Sequence, residues 1–95
     1  MHQEREAAIA WLRERSLRLF VAEAHASRSV YQEDLTQPLA LAFGNEARGA
    51  DERLKREADA LLWIPILGKA ESLNVAVSAS ICLYEAVRQR MARAR

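Results

Sequence analysis

Apolar and polar positions along the chain fall into a small number of recognisable runs. Residues 3–15 carry Ala7, Ala8, Ile9, Trp11 and Leu12 among Glu and Arg, which predicts an amphipathic helix with one apolar stripe. Residues 18–24 form a short apolar run, which predicts a buried strand. Residues 25–38 are polar, with Ser27, Ser29, Asp34, Thr36 and Pro38, and predict a loop with room for a short helical turn. A second buried strand is expected from Leu39 to Phe43, stopped by Gly44. Gly49, Ala50 and Asp51 then lead into a short helix, Glu52 to Ala58. The third apolar run, Leu61 to Ile66, contains Pro65, so that strand must be short or lie at a sheet edge. Gly68 to Glu71 reads as a loop, and Ser72 stands where a helix N-cap belongs. From Leu73 the apolar positions Val77, Ile81, Tyr84, Val87 and Met91 recur at helical spacing, so the last helix runs almost to the end.

The order is helix, strand, strand, helix, strand, helix. Strands that are apolar throughout, rather than alternating, belong in a parallel sheet covered on both faces. The expected architecture is α/β, with a small parallel sheet flanked by helices. Ninety-five residues make one domain, without internal repeat or linker, and 51% apolar residues suffice for a modest core. The formal net charge of +1 is too small for a field that would draw nucleic acid to the whole molecule. The last charges, Arg88, Arg90, Arg93 and Arg95, are all basic, which favours a helix C-terminus. A solvated helix end explains them more simply than phosphate contact. The single cysteine, Cys82, sits between Ile81 and Leu83 as a small buried hydrophobe, and the usage fits a reducing cytoplasm. No apolar run reaches the length of a membrane span, and the first residues lack a signal peptide's apolar core.

In open parallel sheets, ligands bind beyond the carboxyl ends of the strands. The three predicted strands end in Ala24-His25-Ala26-Ser27, Gly44-Asn45-Glu46-Ala47-Arg48-Gly49 and Pro65-Ile66-Leu67-Gly68. Ser72 and the first amides of the last helix would face the same edge, where free amides favour an electron-rich group. Each feature also has a structural explanation: Gly44 and Gly49 as turn residues, Ser72 as a cap, Asn74 as an ordinary first-turn residue. Glu46 has the least obvious structural reason. His25 has no evident partner, and His2, His25 and Cys82 are too scattered for a metal motif, so no metal is expected. Trp11 and Trp63 fit core or interface anchors.

Two segments resemble motifs of the SpoU/TrmH-type RNA 2′-O-ribose methyltransferases of the SPOUT superfamily. Leu41-Ala42-Phe43-Gly44-Asn45-Glu46-Ala47-Arg48-Gly49 is similar to that family's second motif. Ile64-Pro65-Ile66 followed by Glu71-Ser72-Leu73-Asn74-Val75-Ala76-Val77 is similar to its third, and residues 81–90 resemble its C-terminal helix. The resemblance implies a trefoil-knotted α/β fold that binds S-adenosylmethionine in a bent shape. It places backbone around Gly44, Ile64 and Leu73 against the cofactor's adenosine part. It puts the side chains of Glu46, Ser72 and Asn74 at the catalytic site. It further implies an rRNA or tRNA substrate and a homodimer with its active sites close to the interface.

The family's first motif, an Asn and, a few residues later, an Arg, would precede everything in this chain. The only asparagines, Asn45 and Asn74, already belong to the later motifs. The Arg is the group expected to assist removal of the ribose 2′-hydroxyl proton, a contribution worth orders of magnitude in rate. Residues 1–95 are thus expected to be the C-terminal, truncated portion of such a domain, binding cofactor but inactive alone. The alternatives are a non-catalytic module that holds cofactor or RNA, and a dimerisation module on a knotted scaffold with the last helix as its sticky surface.

Overall fold

A computed structural model describes residues 2–44, 52–65 and 75–94. At its centre, strand β1 (Arg18–Ala22) lies between β2 (Leu39–Ala42) and β3 (Ala60–Leu62), and both pairings are parallel. Helix α1 (His2–Glu14) precedes β1, α2 (Glu52–Glu57) lies between β2 and β3, and α3 (Val75–Ala94) closes the chain. The expected parallel α/β architecture is what forms. The path through residues 45–51 and 66–74, on which the expected knot turns, lies outside the described residues.

Burial follows the sheet's alternation. Leu19, Phe20 and Val21 of β1 are all buried. Phe20 points to one face, where the register aligns it with Leu41 and Ala60 and places Ala22 beside Leu62. The main core gathers on this face: Phe20, Val30, Leu35, Leu62, Cys82 and Ala86, with Leu39, Leu41, Phe43, Ala60 and Ile64 packed around them. Leu19 and Val21 point to the other face, where α1 and α2 approach β1. Burying one such side chain contributes about 1.5–3 kcal/mol, so β1 is where the fold is held.

The third strand is three residues long, against the six expected, and its end has a specific cause. Beyond Leu62, the amide of Trp63 donates to the carbonyl of Arg28 at 2.9 Å, and Val30 N–H donates to the Trp63 carbonyl at 2.8 Å. Residue 63 thus pairs with the segment after β1, and Pro65 has no N–H with which to continue any ladder. The connection from β1 to β2 holds a single 3-10 turn, Val30–Gln32, in place of a crossover helix. Ser29 caps that turn reciprocally with Gln32, as the polar composition of the segment allows.

Asp59 ties the amino-terminal side of the sheet together. Its Oδ2 accepts from Leu19 N–H at 2.7 Å and from Arg13 at 2.9 Å, while its own N–H donates to the Leu19 carbonyl at 2.8 Å. Arg13 also donates to the Glu57 carbonyl, so one carboxylate joins the end of α1, the start of β1 and the approach to β3. The Leu19 amide and then Arg13 hold the Asp59 carboxyl below its ordinary value. Just before it, α1 ends in a Schellman motif: Leu17 N–H donates to the Leu12 carbonyl at 3.0 Å and Ser16 N–H to that of Arg13 at 3.1 Å. Ser16 adopts φ 55°, a left-handed conformation that favours glycine.

The described arginines at the end of α3, Arg88, Arg90 and Arg93, are exposed as expected, and two of them also hold the neighbouring segment. Arg90 donates to the carbonyls of Leu35 at 3.2 Å and Gln37 at 3.1 Å, and Arg93 donates to Thr36 Oγ1 at 2.7 Å. Gln89 completes the attachment by accepting from Leu35 N–H at 2.8 Å and donating to the Glu33 carbonyl at 2.9 Å. Its amide also donates to Glu85 Oε2 at 2.7 Å. The second half of α3 is therefore fastened to residues 33–37 by directed polar bonds.

Three outcomes are expected from denaturation experiments. Asp59→Ala lowers unfolding free energy by about 1–2 kcal/mol near neutral pH, reduced from a buried pair's value by its partial exposure. Because the folded Asp59 carboxyl is depressed, its contribution is complete above its ordinary pKa of 3.8 and is lost as pH falls through the folded value. The variant's deficit should therefore shrink in urea titrations carried from pH 6 toward about pH 2–3. Gln89→Leu leaves a carbonyl and an amide without partners and should cost about 1–3 kcal/mol. Ser16→Gly relieves the left-handed serine and should raise stability by up to about 1 kcal/mol.

Candidate functional site

The carboxyl edge of the sheet brings together two of the sequence-predicted site residues. In the parallel register, Val21 aligns with Ala42 and Ala22 with Leu62, so β2 and β3 end within one residue of each other on the same edge. Gly44 and Ile64 each follow two residues beyond those ends, on strands separated by β1. Two interstrand spacings set them roughly 10 Å apart. Both are partly buried. The Ile64 side chain packs against the core, and Gly44 has no side chain. Glu46, Ser72, Leu73 and Asn74 lie outside the described residues, as does Arg48.

A charged pair at this edge was missed by the sequence reading. Glu23, directly after β1, accepts from Lys55 Nζ of α2 at 2.8 Å, and the same ammonium reaches Glu52 at 2.9 Å. The hydrogen bond from Lys55 is the main cause that holds the Glu23 carboxyl below its ordinary value. None of the residues of α2 is fully buried, so these ion pairs and that of Arg53 with Glu6 at 3.2 Å help to hold it. An acid at the end of an otherwise apolar strand was the available signal. His25 is exposed, as expected of a loop histidine. Trp11 and Trp63 are 48% and 37% exposed, which rules out the core and leaves them as surface anchors. Arg15 stacks on the Trp11 ring at 4.0 Å.

Away from this edge, α3 is turned opposite to an ordinary amphipathic helix. Its buried positions are Ser78, Cys82, Glu85 and Ala86, whereas Tyr84 is 74% exposed and Val77, Leu83, Val87 and Met91 are also exposed. Glu85 is buried but accepts two bonds from Arg88, at 2.7 and 2.9 Å, as well as that from Gln89. Two grooves flank Tyr84. One, of about 620 Å³, is lined by Tyr31, Ser80, Ile81, Tyr84, Glu85 and Arg88. The other, of about 390 Å³, is lined by Tyr84, Val87, Arg88, Met91 and Ala92. Among the described residues, no cluster of His, Cys, Asp and Glu could hold a metal ion. No helix among them is long and apolar enough to cross a membrane.

The small parallel sheet with helices beside it and a long helix closing the chain is the fold of the SpoU/TrmH SPOUT methyltransferases. The model of the SpoU rRNA methylase family matches residues 1–84, and the chain belongs to that family. It is 42% identical over 79 residues to a 23S rRNA (guanosine-2′-O-)-methyltransferase RlmB from Pectobacterium atrosepticum, which covers 83% of this chain and 32% of the relative. The chain thus spans about a third of the length of that curated relative. Among solved structures it is similar to the SpoU methyltransferase AviRb from Streptomyces viridochromogenes in complex with AdoMet. The TM-score there is 0.83 at 35% identity, over 92% of this chain and 36% of that one. It is also similar to the A. aeolicus TrmH/SpoU tRNA modifying enzyme, with a TM-score of 0.80 at 32% identity, over 93% of this chain and 45% of that one.

Cys82 takes no part in such a site. Burial alone pushes its thiol up to about 11, so almost no thiolate forms near neutral pH. A thiol reagent should label the native chain only at its rate of unfolding, and label the denatured chain at once. Rapid native labelling would contradict the placement of Cys82 in the core.

Proposed function

We propose that the chain is the cofactor-binding portion of an S-adenosylmethionine-dependent RNA ribose 2′-O-methyltransferase, and that its substrate is ribosomal RNA. The observation that carries this reading is that Gly44 and Ile64 both follow strand ends on the sheet's carboxyl edge, in a chain of the SpoU family. Relatives over most of the chain carry rRNA 2′-O-methyltransferase names, and a structural neighbour was crystallised with AdoMet. A tRNA substrate is the rival within the same chemistry, supported by the tRNA-modifying neighbour.

In this reading, main chain at Gly44, Ile64 and Leu73 holds the adenosine part, and the missing Cβ at Gly44 lets the backbone approach closely. When bound, the cofactor supplies an electrophilic methyl carbon. Glu46, Ser72 and Asn74 surround the reacting end. Ser72 and Asn74, at the entry to α3, orient the ligand by hydrogen bonding, and the Glu46 carboxylate balances positive charge. No residue in the chain corresponds to the family's first-motif Arg, so residues 1–95 alone bind cofactor without turning it over. The domain works as a homodimer in the cytoplasm, with the exposed apolar face of α3 as its contact.

The test is calorimetric titration with S-adenosylhomocysteine. The expected result is one-site binding, abolished by Gly44→Val and weakened about tenfold by Ser72→Ala through loss of one hydrogen bond. Methyl transfer to ribosomal RNA by the isolated 95 residues would refute the inactivity, and absence of binding by the folded chain would refute the cofactor reading.

A further inference from the structure

Between Gly44 and Ile64 stands the end of the central strand, and the first residue beyond it is Glu23. Its N–H donates to the Leu62 carbonyl at 2.8 Å, which carries the β1–β3 pairing past its last strand residues. Continued past each ladder's end, the register sets Glu23 level with Trp63 on one side and with Gly44 on the other. The chain then turns away, closed by the Ala26 N–H on the Glu23 carbonyl at 3.0 Å. A ligand that touches main chain at both Gly44 and Ile64 must therefore cross β1 at Glu23.

Side chains alternate along a strand, so Glu23 shares the face of Val21, and there Lys55 Nζ reaches its Oε2 at 2.8 Å. The two side chains, at 19% and 21% exposure, are more covered than Arg13 and Asp59 at 42% and 32%. An ionised carboxylate only accepts, and it has lone pairs for about four bonds. Among the described residues Glu23 accepts one bond from Lys55 and a long one, 3.4 Å, from the His25 N–H. Capacity for two more remains where the ligand crosses. In adenosine the adenine edge both donates and accepts, which suits main chain, whereas the ribose carries two neighbouring hydroxyls. Two O–H donors and two free acceptor positions match in number, and bonds to a charged acceptor are the stronger kind.

We propose that Glu23 recognises the ribose of the cofactor, its carboxylate accepting from the 2′- and 3′-hydroxyls, with Lys55 as the positioning residue that holds the carboxylate in place. The proposal rests on the cofactor reading above and adds the group that tells a ribonucleoside from its deoxy analogues. An acidic side chain at a strand end takes ribose hydroxyls in the same way in dinucleotide-binding folds.

Calorimetric titration of the 95-residue chain with S-adenosylhomocysteine and with its 2′-deoxy and 3′-deoxy analogues tests this, with thermal melts confirming that every variant folds. The wild type is expected to bind S-adenosylhomocysteine about tenfold or more tightly than either analogue, since each lacks one charge-assisted bond. Glu23→Ala should weaken S-adenosylhomocysteine by about tenfold or more and bind all three ligands alike. Its fold should persist, because Lys55 keeps its bond to Glu52. Glu23→Gln, which preserves the size of the side chain, should lose most of the preference as well. Lys55→Met should reduce the preference and Lys55→Arg restore it. A preference unmoved by Lys55→Met overturns the part given to Lys55. A wild type that binds all three ligands equally, or Glu23 variants that keep the preference, overturns the inference and leaves the cofactor reading standing. Absence of S-adenosylhomocysteine binding by the folded wild type overturns the cofactor reading and this inference with it.

Discussion

The fold depends on the burial of one strand from both sides. β1 has three consecutive side chains in the interior, Leu19, Phe20 and Val21, and a parallel sheet offers no solvated face on which any of them could be polar. Everything else can be described by which side of β1 it covers. α3, the 3-10 turn and Leu35 cover Phe20, and α1 and α2 approach from the side of Leu19 and Val21. The two outer strands contribute their other value by ending within one residue of each other, so that Gly44 and Ile64 come to one edge. The cofactor reading is thus tied to register: a shift of either outer strand by one residue would turn its buried side chains to the opposite face.

Much of this was readable along the chain. The unbroken apolar runs announced parallel strands, and Gly44 was expected to stop the second of them, whereas Ile64 was singled out by the resemblance to the family's third motif. The length of the third strand was not readable. The apolar run to Ile66 continues past Leu62, but its pairing passes from β1 to the segment around Ser29, a contact between positions more than thirty residues apart. The attachment made by the exposed tail arginines was not readable either. Their partners are main-chain carbonyls of residues 35 and 37, which carry no signature in the sequence. The strand order, with β1 in the middle, had likewise no local signal. Of the expected catalytic set, Glu46, Ser72 and Asn74 lie outside the described residues, so only the cofactor edge can be weighed against the geometry.

The direction in which α3 faces is a separate lesson. Periodicity identified the helix from Val77, Ile81, Tyr84, Val87 and Met91, and an apolar stripe ordinarily marks the inward side. Here the inward positions are small or polar, Ser78, Cys82, Glu85 and Ala86, because Phe20, Val30 and Leu35 already fill the space beneath them. Glu85 is tolerated there because Arg88 and Gln89 satisfy it. The stripe gives the axis of amphipathicity, and only the packing gives its sign.

Greasy contacts between helices permit sliding, since one methyl group substitutes readily for another. The bonds that Gln89 and Arg90 make with residues 33–37 do not, because each requires one donor opposite one acceptor. A single-residue slip of α3 would rotate it by about 100° and break all of them. Surface connections are usually the parts of a chain most forgiving of insertion or deletion. The stretch between β1 and β2 is an exception: a residue added there would displace the carbonyls that grip α3 and swing its outer face away from its present heading. Changes in length in that stretch should therefore be felt on the opposite flank of the molecule, and alterations at the two places should travel together.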